Sequence, residues 1–114
     1  MVLDGLIVKQ PYADQIIRGY KKWEMRRRPP PIDKIGKNIL LLSGGYALGI
    51  IRIVKVVGPL GERDLIRTMK MHGGANPTYR YAWVVKIVKK FGKPIKYRHP
   101  SGARVWVKNV KLAH

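Results

Sequence analysis

Cysteine is absent from the 114-residue sequence, which excludes disulfides, Cys-ligated zinc, iron–sulfur clusters and a thiol nucleophile. Carboxylates are scarce: six Asp and Glu stand against 24 Lys and Arg, for a formal net charge of +18. No apolar run reaches the ~18 residues of a membrane-spanning helix, and the first residues lack the pattern of a signal peptide. We therefore expect a cytoplasmic protein with no membrane partner.

The remaining composition is that of one globular domain, which we expect to span residues 1–114. Asn and Gln are few beside plentiful Ile, Val and Arg, a pattern typical of thermophiles. Three scattered His and so few carboxylates predict no metal site. No nucleotide-binding glycine motif is present either, so no cofactor is expected.

The positive charge is distributed unevenly along the chain. The last carboxylate is Asp64, and the final 50 residues carry twelve bases. Folded surfaces normally mix charges of both signs, and a large excess of one sign opposes folding by self-repulsion. A lysine-rich thermophile surface is the structural alternative, but such surfaces are usually rich in Glu as well. The pattern therefore favours a nucleic-acid partner, and the charge alone allows RNA and DNA equally.

Apolar periodicity predicts about six strands and two helices. The strands are expected at residues 6–9, 22–27, 38–42, 46–57, 81–91 and 104–110, with a short edge segment at 93–98. The first helix is predicted to begin at Gln10-Pro11, and its apolar face comprises Ala13, Ile16, Ile17 and Tyr20. The second is predicted to cover residues 62–72, and its apolar face comprises Leu65, Met69 and His72. Strands this numerous and this closely spaced predict an α+β domain, with a strongly bent sheet or small β-barrel flanked by two or more helices.

One candidate site lies on the predicted strand 22–27. Glu24 and Arg26 share one face of it with Lys22, while Trp23 and Met25 point the other way. With Lys21 beside them, these residues form a basic recess that contains one acid. Such a recess suits a nucleotide, because a carboxylate accepts hydrogen bonds from the amino group of a base and the Arg guanidinium donates to phosphate oxygens. A surface ion pair is the structural alternative.

The segment 6–26 resembles the opening of the ASCH domain family. It contains Leu6-Ile-Val-Lys-Gln-Pro-Tyr12 and then Gly19-Tyr-Lys-Lys-Trp-Glu-Met-Arg26, and weaker similarity continues through Tyr81-Ala-Trp83 to Trp106. The resemblance implies a PUA-like β-barrel with a cleft beside it, and RNA binding as the general function. The family's Lys, Glu and Arg correspond to Lys21, Glu24 and Arg26.

The same resemblance implies an enzymatic alternative. One branch of the family resembles an amidohydrolase acting on N4-acetylcytidine through a Lys, a Thr and a Glu, and other members act on RNA. In this sequence Lys22 stands where the family's Thr is usual, and Glu24 stands where the hydrolase branch has a Thr. If the chain is an enzyme, an amidohydrolase or a ribonuclease, Lys21 and Glu24 are the candidate catalytic residues.

Further basic and aromatic residues are candidates for contacts to nucleic acid. Arg26-Arg27-Arg28 precedes three prolines that hold an extended loop, and Arg63, Arg67 and Lys70 form a row on the predicted second helix. Core positions are favoured for Trp23, Trp83 and Trp106. The complete set of candidate contacts is Gln10, Tyr12, Lys21, Lys22, Glu24, Arg26, Arg27, Arg28, Tyr46, Arg63, Arg67, Lys70, Lys93, Arg98 and Arg104.

The predicted function is therefore RNA binding by a monomer, acting alone or within a ribonucleoprotein. Phosphate contacts are expected to supply most of the affinity. The recess at Lys21, Glu24 and Arg26, with Tyr12 for stacking, is expected to hold a base. The hydrolase reading and non-specific DNA binding remain open alternatives.

Overall fold

The computed structural model describes residues 2–74 and 76–113. Its strands are β1 (Gly5–Ile7), β2 (Trp23–Arg26), β3 (Asn38–Ser43), β4 (Tyr46–Val57), β5 (Tyr81–Lys96) and β6 (Trp106–Val107). Its helices are α1 (Tyr12–Ile17), α2 (Glu62–Arg67) and α3 (Met69–His72), with a 3-10 turn at Ile32–Lys34. The six strands form one sheet in the order β2-β5-β4-β3-β1-β6, antiparallel except where β1 meets β3.

The sheet curls so strongly that its two ends meet. Trp83 on β5 and Trp106 on β6 are separated by three strands in the sheet, yet their rings stack with centroids 6.0 Å apart. Arg26, on the edge strand β2, donates from Nη2 to the carbonyl of Ile7 on β1 at 2.9 Å. The result is a curled half-barrel, which confirms the predicted α+β, PUA-like fold.

Both faces of the central strands are apolar. On β3, Ile39 and Leu41 join the main core together with Ile16 of α1. Leu40 and Leu42 point the other way, into a second cluster built around residues that include Val107 and Tyr97. This explains why β3 is a continuous apolar run, because a strand covered on both faces has no polar side.

Tight geometry joins and bends the long strands. Gly44 and Gly45 connect β3 to β4 with φ values of 59° and 87°, as a two-residue type I′ turn requires. Both long strands are bent, because the pairing of β4 with β5 shifts register at three places. At one of them Gly49 allows a close approach, since an added Cβ would lie 2.3 Å from the Lys89 carbonyl.

The two predicted helices are longer than the observed ones. The first ends at Ile17, and Gly19 (φ 83°) then turns the chain, so that Tyr20 is 75% exposed and the predicted place for it on the apolar face is wrong. The second breaks at Thr68, whose Oγ1 donates to the Asp64 carbonyl at 2.6 Å and competes with continued helix. Met69 therefore leaves the predicted apolar face and is exposed, while Leu65 and His72 are buried as predicted.

Three strand predictions also need correction. Residues 93–98 are not a separate edge segment, because β5 continues to Lys96 after a register shift that takes up residues 91–94. The strand predicted at 104–110 is reduced to Trp106–Val107, since the Asn109 amide turns away to donate to Asp4. The first strand is Gly5–Ile7 rather than 6–9.

Candidate functional site

A cleft of about 350 Å³ opens beside the edge strand β2. Residues from the end of β1, from α1, from β2 and from the loop after α3 converge there, together with one residue that precedes β6. The residues that line the cleft are Ile7, Lys9, Tyr12, Lys21, Glu24, Met25, Arg26, Gly74, Asn76, Tyr79 and Arg104.

The alternation of β2 determines which groups meet in the cleft. Met25 joins a small cluster with Leu60 and Leu65, with Trp23 packed against it. Glu24 and Arg26 consequently share the opposite side of the strand, as the sequence predicts. Here Glu24 is 6% exposed, so this face is enclosed rather than a solvated surface.

A three-residue ion cluster forms the back of the cleft. Lys21 Nζ lies 3.1 Å from Glu24 Oε1, and Arg26 contacts Glu24 Oε2 from Nη2 at 2.9 Å and from Nε at 3.0 Å. The Lys21 side chain is 6% exposed and the Glu24 side chain 8%, so water screens their attraction little. Because Arg26 also bonds Ile7, the cluster ties β2 to β1 and holds the carboxylate in one orientation.

Aromatic rings accompany these charges. Lys21 Nζ lies 4.6 Å from the centroid of the Tyr12 ring, and the Arg26 guanidinium lies 5.4 Å from that of Trp83. Tyr12 remains 40% exposed at the mouth of the cleft. Its ring is therefore partly available to a flat ligand.

The mouth of the cleft is positive. Four bases line the cleft against the single acid Glu24, which gives the lining a net formal charge of +3. Two of the bases, Lys9 and Arg104, are exposed and belong to no ion pair within the described residues. These two side chains are the cations most available to a ligand.

Sequence reasoning missed three polar residues of the lining. Lys9 directly precedes the Gln10-Pro-Tyr12 motif, and that adjacency could have identified it. Asn76 and Tyr79 come from a loop about fifty residues away along the chain, and no local pattern marks them. The Arg27 guanidinium lies 5.6 Å from the Tyr79 ring, which places this arginine next to the cleft without lining it.

The structure brings only part of the predicted set together. Tyr12, Lys21, Glu24, Arg26 and Arg104 line the cleft. The predicted residues that do not line it are Gln10, Lys22, Arg27, Arg28, Tyr46, Arg63, Arg67, Lys70, Lys93 and Arg98.

Several of the outlying residues have structural roles. The Gln10 side chain donates to Asp14 Oδ1 and accepts from the Asp14 amide, which secures the start of α1. The Arg28 carbonyl accepts from the Trp83 indole at 2.9 Å. Trp83 itself is buried and Trp106 packs against the same core, so the predicted core positions of both are confirmed.

The predicted helical row Arg63, Arg67 and Lys70 is interrupted. The break at Thr68 places Lys70 on α3, whereas the two arginines lie on α2. Arg67 pairs with Asp64 at 2.6 Å, which occupies part of its guanidinium. The three residues therefore do not lie on the one continuous helix that the sequence predicts.

Among the described residues, no serine or threonine hydroxyl lines the cleft. Thr68 Oγ1 donates to the Asp64 carbonyl, and Thr78 Oγ1 donates to Asn76 Oδ1 at 2.8 Å. Among the described lining residues the hydroxyls are those of Tyr12 and Tyr79. Within residues 2–74 and 76–113 no group of three His, Asp or Glu could hold a metal ion, and no helix is long and apolar enough to cross a bilayer.

A curled six-stranded sheet with short helices and a basic cleft at one edge strand defines a small PUA-like α+β domain. The family model for the ASCH domain matches residues 6–95, and the chain belongs to that family, which is generally linked to RNA binding. A comparison with curated proteins gives no match.

Two solved structures have the same fold. An ASCH protein from Zymomonas mobilis is 17% identical with a TM-score of 0.55, and the match covers 81% of this chain and 69% of that one. A serine-to-alanine variant structure from the same organism gives 15% identity and a TM-score of 0.59, covering 92% and 86%. At these identities the similarity shows the fold alone.

Proposed function

We propose that the chain binds single-stranded RNA, with phosphates on its basic surface and a nucleobase or nucleotide in the cleft. One observation carries the proposal. The cleft combines an accessible tyrosine ring, a carboxylate held between two cations, and a positive mouth. Each of these matches one part of a nucleotide: the base face, the base edge and the phosphate.

Phosphate contacts account for most of the affinity. Lys9 and Arg104 are exposed at the cleft and free of ion pairs within the part of the chain that the structure describes. The net charge of +18 adds attraction to any polyanion. Each phosphate neutralised on a single strand contributes about 0.7 to the slope of log affinity against log salt concentration.

Recognition of a base uses Tyr12 and Glu24. Stacking on an aromatic ring tolerates any base, whereas a carboxylate accepts only from a donor such as an amino group. Each carboxylate oxygen has two lone pairs, and within the described residues the Oε1 atom of Glu24 contacts only Lys21. One acceptor position is therefore left for an amino group of the base.

Asn76 supports a preference for RNA. Its Oδ1 accepts from the amide and the hydroxyl of Thr78, at 2.9 Å and 2.8 Å. This orients the side chain and leaves its NH₂ group to donate toward a ligand. A 2′-hydroxyl can accept such a bond, and this group is what distinguishes RNA from DNA at a site.

The hydrolase alternative uses the same cleft through Lys21 and Glu24. It is less well supported, because both oxygens of Glu24 already contact cations and no Thr or Ser lines the cleft within the described residues. The chain would be an enzyme instead if wild type turned over RNA or an acylated cytidine and both Glu24→Gln and Lys21→Ala abolished that turnover.

Binding is tested by fluorescence anisotropy with single-stranded RNA, duplex RNA, single-stranded DNA and duplex DNA of equal length. Each is titrated at two salt concentrations with wild type, Arg104→Ala and the control Lys37→Ala, an exposed base outside the cleft. We expect single-stranded RNA to bind best at the higher salt, and Arg104→Ala to lower the salt slope by about 0.7. Equal, parallel loss of all four ligands with salt, unchanged by Arg104→Ala, would contradict the proposal.

A further inference from the structure

A second pocket, of about 390 Å³, lies where the chain turns back after β5. Two segments form it, residues 98–101 and 107–111. Its polar lining comprises Arg98, His99, Ser101, Lys108, Asn109 and Lys111, and among the described residues that line it there is no carboxylate. None of these residues lines the cleft beside β2.

Two of its bases are brought together by the backbone. Tyr97 and Leu112 form an antiparallel bridge, and the Arg98 amide donates to the Lys111 carbonyl at 3.1 Å. Arg98 and Lys111 therefore occupy neighbouring positions on paired segments, with Lys108 nearby in the same lining. Like charges held close across paired strands are destabilising. A bound anion would offset that repulsion.

The loop that completes the pocket is held in one shape. The Ala103 amide donates to the Pro100 carbonyl at 3.2 Å across a turn in which Gly102 has φ 81°. His99 Nε2 donates to the Ala103 carbonyl at 3.1 Å, and the Tyr97 hydroxyl donates to His99 Nδ1 at 2.7 Å. Burial raises the pKa of Tyr97, so that this hydroxyl stays protonated. A ligand would therefore meet a preformed site.

The nearest carboxylate is already occupied. Asp4 Oδ1 accepts from the Asn109 amide at 2.8 Å, and its Oδ2 pairs with Lys34. Asp4 itself does not line the pocket. Lys108 and Asp4 attract each other through space, but among the described residues none of the bases of the pocket forms an ion pair.

We propose that this second pocket binds a phosphate group. Three bases, a serine hydroxyl and a fixed loop match a phosphate's charge and its several acceptor oxygens. Arg104, which lines the cleft, and Lys108, which lines the pocket, are four residues apart, so their Cα atoms are at most about 14 Å apart. One RNA strand bound in the cleft therefore reaches both sites, and this last step rests on the proposed function.

The phosphate site is tested by NMR titration of ¹⁵N-labelled protein with inorganic phosphate, with chloride adjusted to keep the ionic strength constant. We expect saturable shifts confined to the amides of residues 98, 99, 101 and 107–111, since Pro100 has no amide hydrogen. The variant Lys108→Ala/Lys111→Ala should bind phosphate about tenfold more weakly. The control Lys37→Ala/Lys55→Ala removes the same charge from exposed sites outside the pocket and should bind like wild type.

Three outcomes would overturn the phosphate site: shifts that do not saturate, shifts that spread over all basic segments, or shifts that weaken equally in both double variants.

Two RNA oligomers, one with a 5′-phosphate and one with a 5′-hydroxyl, then identify the source of the phosphate. Pocket shifts with the phosphorylated oligomer alone indicate a terminal phosphate, and shifts with both indicate a backbone phosphate. Shifts with inorganic phosphate but with neither oligomer overturn only the link to RNA.

Discussion

Replacing Glu24 by Gln removes the one negative charge of the cleft while nearly preserving its shape. The carboxylate neutralises Lys21, which is buried, and Arg26, whose side chain is 21% exposed. In the variant a neutral amide faces both cations, and its NH₂ group repels whichever cation it meets. The free energy of unfolding should therefore fall.

The magnitude follows from the burial of the cluster. Breaking a fully buried ion pair by removing one partner costs about 3–5 kcal/mol. Because the cleft is open to water beside Arg26, we expect a smaller loss, about 2–3 kcal/mol. For a domain of this size each kcal/mol lowers Tm by about 4 °C, so Tm should fall by about 8–12 °C.

Urea unfolding followed by tryptophan fluorescence and circular dichroism measures the loss. Glu62→Gln is the matched control, since it removes the same charge from an exposed position at the start of α2. The double variant Lys21→Met/Glu24→Gln no longer contains the unpaired ammonium. Its loss in free energy of unfolding should therefore be smaller than the sum of the losses in the two single variants, by about 1 kcal/mol or more. A loss below about 0.5 kcal/mol in Glu24→Gln, or strict additivity in the cycle, would refute the reasoning.

Three further outcomes follow from the structure. The hydrogen bond from Lys34 holds the pKa of Asp4 below its ordinary 3.8. The stabilisation from this carboxylate is therefore present above pH 3.8 and is lost as the pH falls through the lowered pKa. When the free energy of unfolding is measured against pH, the difference between wild type and Asp4→Asn should shrink in acid. Gly49→Ala should destabilise by about 2 kcal/mol or more in urea unfolding because its Cβ meets backbone, whereas Gly92→Ala, with open space, should not. Burial raises the pKa of Tyr97, so Tyr97→Phe should remove from the ultraviolet titration curve a tyrosine that ionises above pH 10.

Local patterns in the sequence predicted the elements well where periodicity was strong. The strands predicted at 38–42 and 22–27 have local causes, the apolar run of β3 and the alternation of β2, and the structure confirms both. The helix break at Thr68 was missed because an apolar residue at the right spacing does not show whether the helix still continues there.

The site was predictable only where its residues lie close together in the chain. Lys21, Glu24 and Arg26 fall within six residues, so strand alternation was sufficient to group them. Asn76 reaches the same cleft from the loop before β5, which pairs with β2, and Arg104 reaches it because the sheet curls. Both depend on contacts such as that between Trp83 and Trp106 or the pairing of β2 with β5. Such contacts join residues distant in sequence and leave no local pattern.

The central claim, that the cleft beside β2 holds a base of single-stranded RNA, is tested most directly by the affinity of Tyr12→Ala for a short RNA strand. Tyr20→Ala is the matched control, since this tyrosine is exposed and lies outside the cleft. Loss of one stacked base should weaken binding by about 5- to 100-fold in Tyr12→Ala, with Tyr20→Ala unchanged. Equal affinity of both variants and wild type at moderate salt would contradict the account.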